Sequence, residues 1–170
     1  MKKSVENSKI LVVDDDKNIL KVIKLRVEAE GFAVTAVDQT DAAIKAATET
    51  VFDLALVDLK LASQSGIDLM EKLHRINPEM PIIILTAFGT IDSAVQAMQK
   101  GAFSYLTKPF DYHDLLLQID NSLENRRFMK NIKSLQCTEI DQGHHRHIIC
   151  KSEKMKMVFR QAVQAHHVPA

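Results

Sequence analysis

The sequence predicts an α/β fold, a doubly wound parallel sheet, on three observations. Five short apolar runs alternate with five amphipathic stretches between residues 10 and 123. The runs are continuous in hydrophobicity instead of alternating, as strands covered on both faces require. Glycine, Asn-Pro or clustered polar residues punctuate the junctions. Parallel neighbours need crossover connections, and right-handed crossovers distribute the helices over both faces of one sheet.

Ile10 to Val13 reads as the first strand, running into Asp14-Asp15-Asp16. Ile19, Leu20, Ile23 and Val27 recur at helical spacing and stop at Gly31, a residue suited to ending a helix. Phe32 to Val37 is the second strand, and Ala42 to Ala47 a helix capped by Thr40. Leu54 to Val57 is the third strand and delivers Asp58 at its carboxyl end. Ile67, Leu69, Met70 and Leu73 make a helix closed by Asn77-Pro78. Pro81 to Leu85 is the fourth strand, ending at Thr86, and Ile91, Ala94, Val95 and Met98 line the next helix up to Gly101. Phe103 to Leu106 is the fifth strand, followed by Thr107-Lys108-Pro109. Leu115, Leu116, Ile119 and Leu123 mark a last, long helix from Tyr112.

Composition narrows the function classes. The 22 basic residues balance 22 acidic ones, which argues against a general nucleic-acid surface. With no tryptophan, aliphatic side chains must fill the core. Cys137 and Cys150 lack Cys-x-x-Cys spacing and read as reduced thiols. No apolar stretch reaches the roughly 20 residues of a membrane span, and the first residues lack the apolar centre of a signal peptide. The expectation is a cytoplasmic protein with no membrane partner.

In an open parallel sheet, ligands bind outside the carboxyl ends of the strands. There the pattern gathers Asp14 and Asp15 from the first strand, Asp58 from the third, Thr86 from the fourth and Lys108 after the fifth. Three converging carboxylates repel one another unless a cation joins them, and an all-oxygen set suits magnesium. A carboxylate such as Asp58 can serve as the nucleophile of a phosphoryl transfer. Lys108 and the metal can neutralise the transferred group, and the Thr86 hydroxyl can donate to a phosphate oxygen. Singly, each residue is more often a cap, a turn or a solvated side chain, and Asp16 and Asp53 are read that way. The weight lies in finding all of them at one sheet edge.

Asp14-Asp15, Asp58 with Gly66 eight residues on, Thr86-Ala87 and Lys108-Pro109-Phe110, in that order, resemble the response-regulator receiver family over roughly residues 8 to 126. The resemblance implies a flavodoxin-like five-stranded sheet of order 2-1-3-4-5. It implies that Asp58 accepts phosphate from a histidine kinase. Asp14, Asp15, Asp58 and the Lys60 backbone carbonyl would hold magnesium, and Thr86 and Lys108 would bind the phosphoryl oxygens. It also implies a cis Lys108-Pro109 peptide and a switch in which Tyr105 turns inward as Thr86 moves towards the phosphate. The family often has proline where Ala62 stands. Lys60 and Phe88 occupy positions that tune hydrolysis of the acyl phosphate, and neither can act as a base towards water at neutral pH.

Past Arg127 the pattern changes, so the domain reading is a receiver over 1–126, a helical extension and linker over 127–147, and a further piece over 148–170. Ile148 to Met155 with Val158-Phe159 resembles the opening of the AAA+ domain of sigma-54-dependent activators, with Cys150 in place of the usual glycine; the expectation is a truncated start of that domain. No Gly-rich lysine loop for phosphate occurs, so ATPase machinery is not expected in this chain, and DNA contact would need a domain outside it. The helix around Tyr112 to Leu135 outruns the sheet and is expected to pair in a homodimer. His144, His145, His147, His166 and His167 read as linker composition, with a transition-metal site as the alternative. Two rivals remain open: a haloacid-dehalogenase-type phosphatase built on Asp14 and Asp16, which leaves Asp58 unexplained, and a receiver-like module that binds partners without phosphorylation.

Overall fold

The computed structural model describes residues 8–62, 64–87 and 91–140. Strands β1 (Lys9–Val13), β2 (Ala33–Val37), β3 (Leu54–Asp58), β4 (Ile82–Thr86) and β5 (Ser104–Thr107) alternate with helices α1 (Lys17–Ala29), α2 (Thr40–Glu49), α3 (Gly66–Ile76), α4 (Ile91–Gln99) and α5 (Tyr112–Ile140). All strand pairs are parallel, in the order β2-β1-β3-β4-β5. The compact unit that carries the sheet ends at Lys133.

Strand periodicity divides the core in two. Leu11, Val13, Ala55, Val57, Ile82 and Ile84 face one side, where Leu69, Met70 and Leu73 of α3 and Ala43 of α2 cover them. Ile10, Val12, Leu54, Leu56, Ile83 and Leu85 face the other, under Leu20, Ile23 and Val27 of α1 and Leu115, Ile119 and Leu123 of α5. β1, β3 and β4 carry continuous apolar runs because they are the interior strands, buried on both faces.

The helix boundaries follow local chemistry, with corrections to the sequence reading. Asp16 caps α1, its carboxylate accepting from the Asn18 and Ile19 amides, and Gly31 beyond its end has φ 92°, a conformation glycine adopts without a Cβ penalty. Thr40 does not cap α2. It is the first helical residue and is buried, while Gln39 occupies the cap position without a side-chain bond. Asp53 is more than a turn residue: it accepts from the Lys9 amide at 3.0 Å and pairs with the buried Arg126 guanidinium of α5. Helix α5 runs to Ile140, within the span read as helical extension and linker. Phe88, Cys150, the five late histidines and the 148–170 piece lie outside the described residues.

Candidate phosphoacceptor site

The site forms where the carboxyl ends of β1, β3, β4 and β5 meet one edge of the sheet. β1 and β3 are paired through Val13↔Val57, which sets the residues that follow, Asp14 and Asp58, side by side. β3 and β4 are paired through Asp58↔Leu85, so Thr86 emerges one step further along. The Lys108 amide donates to the Thr86 carbonyl at 2.6 Å, anchoring the β5 end against β4. The Lys108–Pro109 peptide is cis.

Asp14 is fully buried, Asp58 is 8 % exposed, Thr86 is 1 % exposed and Asp15 lies open to solvent. Carboxylate oxygens of Asp14, Asp15 and Asp58 lie within 4.8 Å of one another. Lys108 crosses this group: its ammonium donates to Asp58 Oδ2 at 2.8 Å and, closer still, to Asp14 Oδ2. Backbone amides complete the frame, Asp16 N to Asp14 Oδ1 at 3.0 Å and Lys60 N to Asp58 Oδ1 at 3.2 Å.

Charge decides what this arrangement can hold. Two unit charges at about 5 Å repel by roughly 3 kcal/mol at an effective dielectric near 20. Three carboxylates against one ammonium leave a surplus of two negative charges. Burial pushes the Asp14 carboxyl above its ordinary value, and the neighbouring Asp58 adds to the rise, against the Lys108 and Asp16 hydrogen bonds. For Lys108, burial pulls the ammonium down, yet Asp14 and Asp58 together outweigh it and raise the net value. Lys108 therefore stays charged, and the remaining imbalance matches one hard divalent cation in an all-oxygen set.

The loop after Asp58 is shaped around that site. Residues 59–61 and 64–66 pair as a small antiparallel hairpin, closed by Leu61 N to Gln64 O at 3.2 Å and Gly66 N to Leu59 O at 2.7 Å, with Lys60 opposite Ser65. Lys60 is thus the non-bonded member of its pair, and its backbone groups leave the hairpin on the outer side. Its N–H reaches the Asp58 carboxylate, so its carbonyl leaves on the side of the acidic group. Gly66 packs directly on the third strand. A Cβ there would sit 2.9 Å from the Asp58 carbonyl carbon, 3.0 Å from Leu59 Cα and nearer still to the Asp58 carbonyl oxygen. Ser65 then caps α3 through the Ile67 amide.

The sequence-predicted residues Asp14, Asp15, Asp58 and Lys108 come together, with the backbone of Lys60 beside them. Thr86 is buried at the end of β4. Tyr105 is half-buried against the α2–α3 side of the core, two residues before the end of β5. Asp16 and Asp111 are committed elsewhere as helix caps, Asp111 accepting from the His113 amide. Asp16, on which the dehalogenase-type reading depends, is thus engaged by the first amides of α1.

The response regulator receiver domain model matches residues 10–120. The chain belongs to that family. It is 39 % identical over 115 residues to the transcriptional regulatory protein GlrR of Escherichia coli K12, an alignment covering 68 % of this chain and 26 % of that protein. A CheY-like receiver domain protein from Methanospirillum hungatei JF-1 superposes with a TM-score of 0.70 at 32 % identity, over 73 % of this receiver chain and 99 % of that one. NtrX from Brucella abortus shares the fold, with a TM-score of 0.74 at 24 % identity over 94 % of this chain and 34 % of that one. This chain spans about a quarter of the curated relatives it matches. The receiver family is thus shown for the chain, its curated relatives include transcriptional regulatory proteins, and the sheet order agrees with that expected. No helix among the described residues is long and apolar enough to cross a membrane.

Proposed function

We propose that this receiver accepts a phosphoryl group on Asp58 from the phosphohistidine of a histidine kinase. The carrying observation is the buried Lys108 ammonium spanning Asp14 and Asp58 beside an exposed Asp15. In the transfer an Asp58 oxygen forms the new O–P bond, the N–P bond of the donor breaks, and the departing imidazole keeps the electron pair. Asp14, Asp15, Asp58 and the Lys60 carbonyl would hold magnesium, which would supply positive charge against the phosphoryl oxygens. Lys108 keeps one phosphoryl oxygen neutralised, and the Thr86 hydroxyl donates to another. As Thr86 is drawn towards the phosphate, Tyr105 turns inward and α4 shifts, biasing a pre-existing equilibrium.

The rest of the reading is of the parent protein. It acts in the cytoplasm as a sigma-54-dependent transcriptional activator, with residues 148–170 opening an AAA+ domain and DNA contacted through a further domain. The regulatory relatives and the resemblance at Ile148 to Phe159 support this. The receiver pairs as a homodimer through α5, on which Phe128, Met129 and Ile132 are exposed beyond the last core-buried residue of that helix's apolar stripe, Leu123.

Incubation with a small-molecule phosphodonor and magnesium tests the phosphoacceptor role. A base-labile adduct on Asp58, absent from a folded Asp58→Asn variant, supports it. Turnover of phosphate esters supports a phosphatase, and neither adduct nor turnover supports a passive binding module.

A further inference from the structure

We propose that Lys72 of α3 is a positioning residue for the cation site, holding the 59–66 hairpin through Gln64 so that the Lys60 carbonyl faces Asp58. The inference rests on the phosphoacceptor reading above and adds to it the part that fixes one ligand.

The hairpin is held at its base, where Gly66 lies against the Asp58 carbonyl and donates to Leu59. Leu61 packs on the core and secures the first limb. On the return limb Gln64 Oε1 accepts from Lys72 Nζ at 2.8 Å, in a partly buried bond. Lys72 stands on rigid ground, because its neighbours Leu69, Met70 and Leu73 are fully buried. The bond thus transmits the rigidity of α3 to the limb paired with Lys60. On the site side the Lys60 amide donates to Asp58 Oδ1 at 3.2 Å, so the orientation of this peptide bears directly on the acidic group. A ligand geometry as demanding as that of magnesium makes such orientation count.

Magnesium titration by calorimetry on the full chain tests the assignment. Charge alone makes Lys72→Met tighten cation binding, since it removes a positive side chain near an acidic site. Loss of orientation instead weakens it, by roughly three- to ten-fold for one hydrogen bond. Lys72→Met and Gln64→Ala are both expected in that range, the double variant no weaker than Lys72→Met, and Lys72→Arg close to wild type. In the metal-free protein, the Leu61 and Gly66 amides should exchange faster in Lys72→Met while the thermal midpoint holds. Should Lys72→Met fail to fold, the change Gln64→Ala, at a half-buried position, carries the test. Unchanged or tighter binding in the folded variants, with normal wild-type binding and phosphorylation, overturns this inference alone. A wild-type protein that binds no magnesium overturns both it and the reading beneath it.

Discussion

Gly66→Ala sets two physical arguments against each other. Helix propensity favours alanine over glycine by about 1 kcal/mol inside a helix, so propensity alone predicts a more stable domain. The structure predicts the reverse. The added methyl would meet the Asp58 carbonyl carbon at 2.9 Å and Leu59 Cα at 3.0 Å, with the carbonyl oxygen closer still. These are backbone atoms of β3 and its exit, and β3 is buried along its whole length, so no side chain can swing aside. Either the start of α3 or the Asp58 peptide must move, by something near an ångström. Overpacking of this kind costs about 1–3 kcal/mol, cancelling the propensity gain and exceeding it. The larger effect falls on chemistry, because a displacement of about 1 Å at a reacting group costs on the order of 10²-fold in rate. Urea unfolding with parallel measurement of Asp58 phosphorylation reads both quantities. A Gly66→Ala protein that is stabilised and phosphorylates at the wild-type rate would refute the close approach and the argument built on it.

Other expectations follow from the same geometry. His74 is held below its ordinary value by burial, against a hydrogen bond to the Met80 backbone. The folded state then binds this proton less readily than the unfolded chain, so its contribution is complete above about pH 6.5 and is lost as pH falls. Urea midpoints measured down this range should decline less in His74→Gln; an identical decline would remove the assignment. Asp53→Ala should destabilise by about 1–3 kcal/mol and more than Arg126→Met, since it strands a buried guanidinium whose Nε already lacks a partner. The opposite ranking in denaturant titrations would contradict this. The phosphorylated form should persist for minutes or longer, because neither lysine at position 60 nor phenylalanine at position 88 offers a base towards water; phosphate loss within seconds, followed by mass, would contradict it. Sedimentation at micromolar concentration should show a dimer in at least one phosphorylation state, shifted towards monomer by Ile132→Asp. A monomer in both states would remove α5 pairing.

The strands were readable because burial on both faces leaves an uninterrupted apolar signature, as in Ile10–Val13 and Leu54–Val57. Asp14, Asp58 and Lys108 were readable because strand ends in a parallel sheet share one edge. What pattern does not convey is contact across distance. The Asp53–Arg126 pair joins residues 73 positions apart, and nothing local to either marks it. Thr40 looked like a cap because its chemistry suits one, but its burial places it inside α2. The Lys60 carbonyl could be named only by resemblance, since every residue has a carbonyl and only the hairpin register aims this one. The role of Gly66 against Asp58 was equally hidden: spacing marked the residue, and only the fold supplies its neighbour.

The interleaved strands also make the sheet a partition. Val12 and Leu56 look one way, while Val13 and Val57, one step along, look the other. Damage on opposite sides has no shared cavity through which to compound, so a truncation under α1 and another under α3 should sum in their effects. The partition ends at the carboxyl edge of the sheet, where Asp14 and Asp58 follow Val13 and Val57 side by side.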